Sequence, residues 1–166
     1  MKKYYHTPAL NNSKSKKNLP VYISGYVDGE GCFSVSFSKR EKLLIGWETK
    51  PSFAVGQNYD RSEVIKLLQR YLDCGSIRRD YSDKTLKFEV RSLNDLVDKV
   101  IPHFLKYPLL SGKQKDFNLF VKICKMMKKG KHLQKEGLRK IVNLAYQMNT
   151  SGKRRYKKER IITQLL

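Results

Sequence analysis

The sequence predicts a mixed α/β fold of the α+β class, with elements in the order αββαββα and further helices behind them. Two observations predict it. Residues 18–31 and 60–75 space their apolar side chains as helices do. Four other segments alternate apolar and polar side chains with the period of two of a half-buried strand; they are residues 32–40, 46–57, 76–80 and 85–91. Pro51, inside the second of them, indicates an edge or a bulge.

The 166 residues are enough for one core. We expect one domain over residues 18–150, a mobile basic arm at 1–17 and a basic C-terminal segment at 151–166. A capping box of Asp60 and Glu63 is predicted to begin the second helix. Later helices are expected from Ser92 to about Pro102, from Ser111 or Gly112 to Gly130, near 133–148, and at 159–166.

The first helix carries the most informative pattern. It is predicted to begin at Pro20, because proline is tolerated in a first helical turn. Gly25 and Gly29 share one face and would let another backbone approach closely. Asp28 and Glu30 lie at the end of the helix, where the dipole disfavours a carboxylate unless a cation binds. A hard divalent cation fits such oxygen ligands; the alternative is a plain acidic turn.

Charge and composition indicate a polyanionic partner. The net charge is +20, from 35 Lys and Arg against 15 Asp and Glu. A membrane partner is disfavoured because no lipidation signal and no long apolar run accompany the basic residues. The three cysteines are too far apart for a zinc site or a disulfide framework, and are predicted to fill apolar space in a reducing intracellular compartment. His103 is expected to be structural.

The strands carry polar, often basic side chains on one face. Such a face can enter the major groove of DNA and present side chains to base edges. The alternative is an ordinary solvated sheet face, which is the usual reason for alternation. The net charge favours DNA contact.

Residues 23–31, Ile-Ser-Gly-Tyr-Val-Asp-Gly-Glu-Gly, resemble the LAGLIDADG motif of homing endonucleases. Ser24 replaces the usual alanine as a small interface residue, and Glu30 stands where aspartate is also common. The resemblance extends over roughly residues 20–125. It implies a four-stranded antiparallel DNA-binding saddle and a motif helix packed against a second one. Because the motif occurs once, it implies a homodimer with Tyr22, Gly25, Tyr26 and Gly29 at the interface.

The resemblance also implies an activity: Mg²⁺-dependent, site-specific cleavage of double-stranded DNA by an intron-encoded enzyme with a long pseudo-palindromic target. Mn²⁺ or Ca²⁺ would substitute in binding. Glu30 and the Gly29 carbonyl would hold metal. Gln57 would position water, Arg61 would steady the phosphate and Lys113 would activate solvent or offset charge, with Lys115 as the alternative lysine.

DNA contacts are assigned by register and outward parity, with Arg78 suited to guanine. The set comprises Ser34, Ser36, Ser38, Arg40, Lys42, Glu48, Lys50, Ala54, Arg78, Asp80, Lys87 and Lys115. Two alternatives remain, an intron RNA maturase and a non-cleaving DNA-binding protein on the same scaffold. The host compartment, bacterial cytoplasm or organelle, is left open.

Overall fold

The computed structural model describes residues 13–82 and 84–165. The αββαββα order is confirmed. Its first part comprises α1 (Ser13–Glu30), β1 (Gly31–Lys39), β2 (Trp47–Asn58), α2 (Glu63–Leu72), β3 (Ser76–Asp80) and β4 (Thr85–Val90). A continuous helical stretch follows as α3 (Leu93–Asp95), a π-helical turn (Leu96–Val100) and α4 (Ile101–Lys106). The chain continues with α5 (Lys113–Lys128), α6 (Lys135–Ala145) and α7 (Lys158–Thr163).

The four strands form one antiparallel sheet in the order β1-β2-β4-β3. Their inner face buries a ladder of aromatic rings, because every second residue points to the helices. Phe33 stacks on its partner Phe53 at 5.0 Å between ring centroids, and meets Phe117 of α5 at 5.1 Å. Helix α5 therefore packs directly across the sheet, and its first residue is held beside the start of β1.

Pro51 lies in a stretch of β2 with only one neighbouring strand, as predicted. It pairs with Val35 of β1, while the pairing of β2 with β4 begins at Phe53. Proline has no backbone N–H to donate, so it fits where no second ladder exists.

The outer edge of β1 is covered by residues 149–156, which we call the C-terminal strap. Asn149 Nδ2 donates to the Phe33 carbonyl at 2.8 Å, and Arg154 NH1 donates to the Val35 carbonyl at 3.1 Å. Arg154 NH2 also donates to Met148 O at 3.0 Å and to Ala145 O. Tyr156 packs edge-on against Trp47 at 5.0 Å. The strap thus protects an edge strand that would otherwise expose unpaired backbone groups.

The start of the first helix differs from the prediction. Helix α1 begins at Ser13, so Pro20 lies inside it and not in its first turn. The backbone continues through Pro20 at the loss of one helical hydrogen bond. Residues 13–17 of the predicted mobile arm are therefore helical, and residues 1–12 lie outside the described residues.

Two other predicted helix boundaries were wrong. Ser62, not Asp60, precedes α2, and its hydroxyl donates to Tyr59 O at 2.9 Å, because residues 59–61 form a 3-10 turn first. Ser92 caps its helix as predicted, but the helix continues past Pro102 to Lys106. The wide π-helical turn before Pro102 accommodates the proline ring. Cys124 is buried as expected, whereas Cys32 is exposed on the outer sheet face.

Within residues 13–82 and 84–165, none of the helices has the length and hydropathy of a membrane-spanning segment.

Candidate active site

Glu30 is the last residue of α1 and is exposed. Among the described residues, its carboxylate has no hydrogen bond or ion pair. The chain passes directly from Glu30 into β1, at the end of the sheet where β2 finishes and α5 begins. We call this the motif end of the sheet, and define it by Glu30, Gln57, Arg61 and Lys113.

Lys113 opens α5 and reaches the carbonyl groups at the end of α1. Its ammonium donates to Val27 O at 2.9 Å and to Gly29 O at 3.3 Å. The last carbonyls of a helix have no helical partner and carry the negative end of its dipole, so a lysine there is stabilising. This contact brings Lys113 next to Glu30. Lys115 is exposed and two residues further along α5, where it cannot share the face of Lys113.

Asp28, the other acid of the motif, is fully engaged within the fold. It accepts hydrogen bonds from Leu110 N and Ser111 N, both at 2.9 Å, and from the Ser111 hydroxyl. Partial burial alone would raise its pKa, but these hydrogen bonds and the nearby Lys113 hold the pKa below its ordinary value. Asp28 therefore fixes the loop that delivers Lys113, and it is not a free metal ligand.

Gln57 is held against the motif helix. Its Nε2 donates to Tyr26 OH at 2.9 Å, and its Oε1 accepts from Asn58 N at 2.8 Å. Tyr26 lies one turn before Glu30 on α1, so Gln57 belongs to the same end of the sheet. Arg61 is exposed in the 3-10 turn that follows β2, and it has no ion pair among the described residues.

Ser24 does not serve a contact with another chain. It is buried, and its hydroxyl donates to Tyr107 O at 2.7 Å. His103 Nε2 lies 3.2 Å from Ser24 Oγ, and Tyr71 OH lies 3.0 Å from His103 Nδ1. The single hydroxyl proton of Ser24 is donated to Tyr107 O. Neutral His103 therefore carries its proton on Nε2 and donates it to Ser24 Oγ, while its Nδ1 accepts from Tyr71 OH. Burial lowers the pKa of His103 to about 4, so its predicted structural role is supported.

Within residues 13–82 and 84–165, nothing packs on the opposite face of α1 around its glycines. Val21 and Tyr22 are 62% and 49% exposed, and a Cβ added at Gly25 or Gly29 would meet nothing within 4 Å. The two glycines are therefore not needed for packing against the part of the chain that the structure describes. An adjacent groove of about 290 Å³ continues the apolar surface to Leu110, which is 94% exposed. Tyr26, turned toward Gln57, lies on the flank of this face.

The outer face of the sheet carries its charges in compact groups. Glu89 accepts from Ser52 at 3.0 Å, and lies 2.9 Å from Arg91 and 3.9 Å from Arg78. Glu48 lies 2.7 Å from Arg40 and 3.2 Å from Lys50. Hydrogen bonds from Arg40 and Lys50 lower the pKa of Glu48. Burial opposes the same shift at Glu89, but its contacts with Ser52 and Arg91 outweigh burial and lower the pKa.

Most of the proposed DNA contacts lie on this face. Cross-strand pairs join Ser34 with Ser52, Ser36 with Lys50, Ser38 with Glu48, and Arg78 with Lys87. Two residues differ from expectation. Ala54 is only 8% exposed, because it lies in register between Cys32 and Glu89. Asp80 accepts from Ser82 N at 3.2 Å and Ser82 Oγ at 2.6 Å, so it shapes the β3–β4 turn. The predicted set of DNA contacts omitted Glu89, although Glu89 lies two residues from Lys87 in β4 and faces the same side of the sheet.

The described residues contain no group of three or more His, Cys, Asp or Glu that could hold a metal ion. One chain offers a metal ion the carboxylate of Glu30 as a ligand. The Gly29 carbonyl, the other predicted ligand, already accepts a hydrogen bond from Lys113. The residues therefore fit a metal ion only as part of a larger ligand set.

Comparison with known proteins identifies the family. A family model described as LAGLIDADG endonuclease matches residues 23–124. The probable intron-encoded endonuclease 2 of Neurospora crassa is 33% identical over 131 residues, covering 78% of this chain but only 29% of that relative. The homing endonuclease I-TnaI is 36% identical with a TM-score of 0.77, covering 88% of this chain and 95% of that one. I-LtrWI bound to its target DNA is 36% identical with a TM-score of 0.78, covering 80% of this chain and 45% of that one. The chain belongs to the LAGLIDADG endonuclease family.

Proposed function

We propose that this protein is a homing endonuclease that cleaves both strands of a specific DNA duplex, encoded within an intron as its relatives are named. The observation that carries the proposal is the unpaired, exposed Glu30 carboxylate beside Lys113, at the end of a sheet whose outer face bears basic groups. The DNA-bound structure of I-LtrWI supports the same partner for this chain.

Glu30 is the metal ligand in this proposal, with Mg²⁺ as the ion and Mn²⁺ or Ca²⁺ as substitutes in binding. When bound, such an ion stabilises charge on the phosphate and activates water. Lys113 offsets negative charge at the same point, since its ammonium already lies on the α1 carbonyls. Gln57 holds a water through the remaining Nε2 hydrogen and Oε1 lone pair of its amide, and Arg61 contacts the phosphate. Because one carboxylate alone is a poor metal site, a second Glu30 and DNA phosphates would complete the ligand set.

A second copy of the chain is the proposed source of that second carboxylate. The open Gly25 and Gly29 face suits close packing of two α1 helices, which would bring both Glu30 residues near one axis. The free protein should therefore sediment at twice 19.5 kDa. Gly25→Leu should give monomers, while Lys66→Leu on the exposed face of α2 should leave the dimer intact. A monomer that cuts both strands in one binding event would contradict this assembly.

The endonuclease proposal is tested by selecting cleaved sites from a random duplex library. With Mg²⁺, the wild-type protein should enrich one long, nearly symmetric sequence, whereas EDTA or Glu30→Gln should enrich none. An RNA maturase or a non-cleaving DNA-binding protein would give no cleaved product, and that outcome would overturn the proposal. Neither of those functions needs an unpaired acid at the motif end.

A further inference from the structure

Arg79 packs on two exposed tyrosine rings. Its guanidinium carbon is 4.1 Å from the ring centroid of Tyr59 and 4.9 Å from that of Tyr81. The two tyrosines are 51% and 79% exposed, so the stack is at the surface. Within the described residues, no carboxylate lies at ion-pair distance from Arg79. The guanidinium is therefore held by two aromatic contacts, while no acid among the described residues lies at ion-pair distance from its N–H groups.

The stack belongs to the motif end of the sheet. Arg79 pairs with Leu86, which pairs with Gln57, so all three have the same parity. Because β3 and β2 are two strand spacings apart, the backbone of Arg79 lies about 10 Å from that of Gln57. Its neighbour Arg78 has the opposite parity and faces the outer surface. Arg79 thus leaves the sheet on the same face as Gln57, and not on the face of the residues assigned to base contacts.

Two loops are joined at this point. Tyr59 opens the 3-10 turn that carries Arg61, and Tyr59 N donates to Lys84 O of the β3–β4 turn at 3.0 Å. Tyr81 comes from that second turn. Arg79 stacks on one ring from each turn, so it fixes them against each other. The cationic side chains of Arg61, Arg79 and Lys84 are consequently carried on one small unit.

Stability alone is a weak reason for this arrangement, because an exposed cation–π contact contributes only about 0.5–1 kcal/mol. A planar guanidinium that packs on aromatic rings and has no acid partner is suited to bidentate contact with a phosphate. We infer that Arg79 binds a DNA backbone phosphate next to the cleaved position, and that Tyr59 and Tyr81 hold it and the Arg61 turn in place. This inference rests on the proposed function, since it assumes a DNA duplex at the motif end.

Binding measured without Mg²⁺ separates this inference from cleavage. Arg79→Gln removes the charge, and Arg79→Lys keeps the charge but removes the planar stack. Arg70→Gln is the matched control, because Arg70 is an exposed arginine of α2 with no ion pair among the described residues. Each variant is titrated with the selected target and with an unrelated duplex over a series of salt concentrations. Thermal unfolding verifies that all variants are folded.

Arg79→Gln should weaken binding to both duplexes by roughly tenfold and lower the salt slope by about one. Arg79→Lys should keep the salt slope but lose part of the affinity, and Arg70→Gln should match the wild type. Single phosphates of the target can be replaced in turn by neutral methylphosphonates. At one phosphate per half-site, the replacement should weaken binding of the wild type but leave binding of Arg79→Gln unchanged.

Equal affinity and salt slope for Arg79→Gln and Arg70→Gln would overturn the inference, as would an unchanged methylphosphonate pattern. A wild-type protein that binds duplex DNA but never cleaves it would overturn the endonuclease proposal alone, because the affinity and salt slope of Arg79→Gln and Arg70→Gln could still be compared on the unrelated duplex. A wild-type protein that does not bind duplex DNA would overturn both.

Discussion

Charged residues meet the sheet in two regions, and Arg154 in one region is held very differently from Glu30 and Arg61 in the other. In the C-terminal strap, Arg154 donates to the carbonyls of Val35, Ala145 and Met148 and packs on the Tyr146 ring at 4.6 Å. At the motif end, Glu30 and Arg61 have no such partners among the described residues. In a chain with a net charge of +20, charge by itself does not mark a functional residue; its partners do.

The difference has an energetic meaning. Burial lowers the pKa of Arg154, and the carbonyls it contacts would lose a charged donor if it were removed. Exposed charges at the motif end lose little solvation on folding, so their removal should hardly change stability. The strap should therefore respond to mutation through the free energy of unfolding, and the motif end through catalysis and DNA binding.

Arg154→Met should have the largest effect on stability. We expect a loss of about 2–4 kcal/mol in the free energy of unfolding, because three backbone carbonyls lose a charged donor. Arg155→Met is the matched control, since Arg155 is exposed and adjacent in the strap. It should change stability by less than about 0.5 kcal/mol. Chemical denaturation measures both, and equal losses would contradict the distinction between partnered and unpartnered charges.

The buried network beneath the motif helix predicts a pH dependence of similar size. The pKa of His103 is about 4 in the fold against 6.5 in the unfolded chain, so the unfolded state binds more protons between these values. The stabilisation is fully present above pH 6.5 and is lost as pH falls toward 4, by at most about 3 kcal/mol. Denaturation from pH 4 to 8 measures it.

The matched variant for this test is His103→Gln, which should flatten the slope between pH 4 and 6.5. Carboxyl groups with lowered pKa values, such as Asp28 and Glu89, remain in both proteins, so the difference between the two stability curves isolates the contribution of His103. The same slope in both proteins would show that His103 is not the titrating group.

The outer sheet face should give smaller, position-specific effects. Arg78 is held 3.9 Å from both Asp80 and Glu89, and must exchange these contacts for a base edge. Arg78→Ala should cost about 1–3 kcal/mol at one base pair per half-site. Neutralising Lys157 and Lys158 should weaken binding to every sequence alike and lower the salt slope. A titration over single-base target variants distinguishes these results, and a uniform loss for Arg78→Ala would contradict base recognition.

The strands, their parity and the motif helix could be predicted because their signals are local. Alternation identifies a strand within a few residues, and Glu30 follows directly from the motif. The partners could not be predicted in the same way. Ser24 meets His103 across 79 residues of sequence, and Arg154 meets Val35 across 119. No local pattern predicts such contacts, which is why the sequence places Ser24 at an interface and Arg154 in a basic C-terminal segment.

The capping box at Asp60 was wrong for a related reason. The Asp60 and Glu63 spacing is typical of a helix start, but β2 runs to Asn58 and a 3-10 turn follows at once. The helix therefore begins only at Glu63. The role of Asp28 was equally hidden, because its partners Leu110 and Ser111 lie more than 80 residues away.

The two acids of the motif offer the most direct test, because they are two residues apart and differ in their partners. Cleavage of the selected target in Mg²⁺, and thermal unfolding, should be measured for Glu30→Gln and Asp28→Asn. We predict that Glu30→Gln loses cleavage while keeping DNA affinity and wild-type stability. Asp28→Asn should unfold at a lower temperature yet still cleave when folded. Cleavage by Glu30→Gln at the wild-type rate, or unchanged stability in Asp28→Asn, would contradict the division between partnered and unpartnered charges.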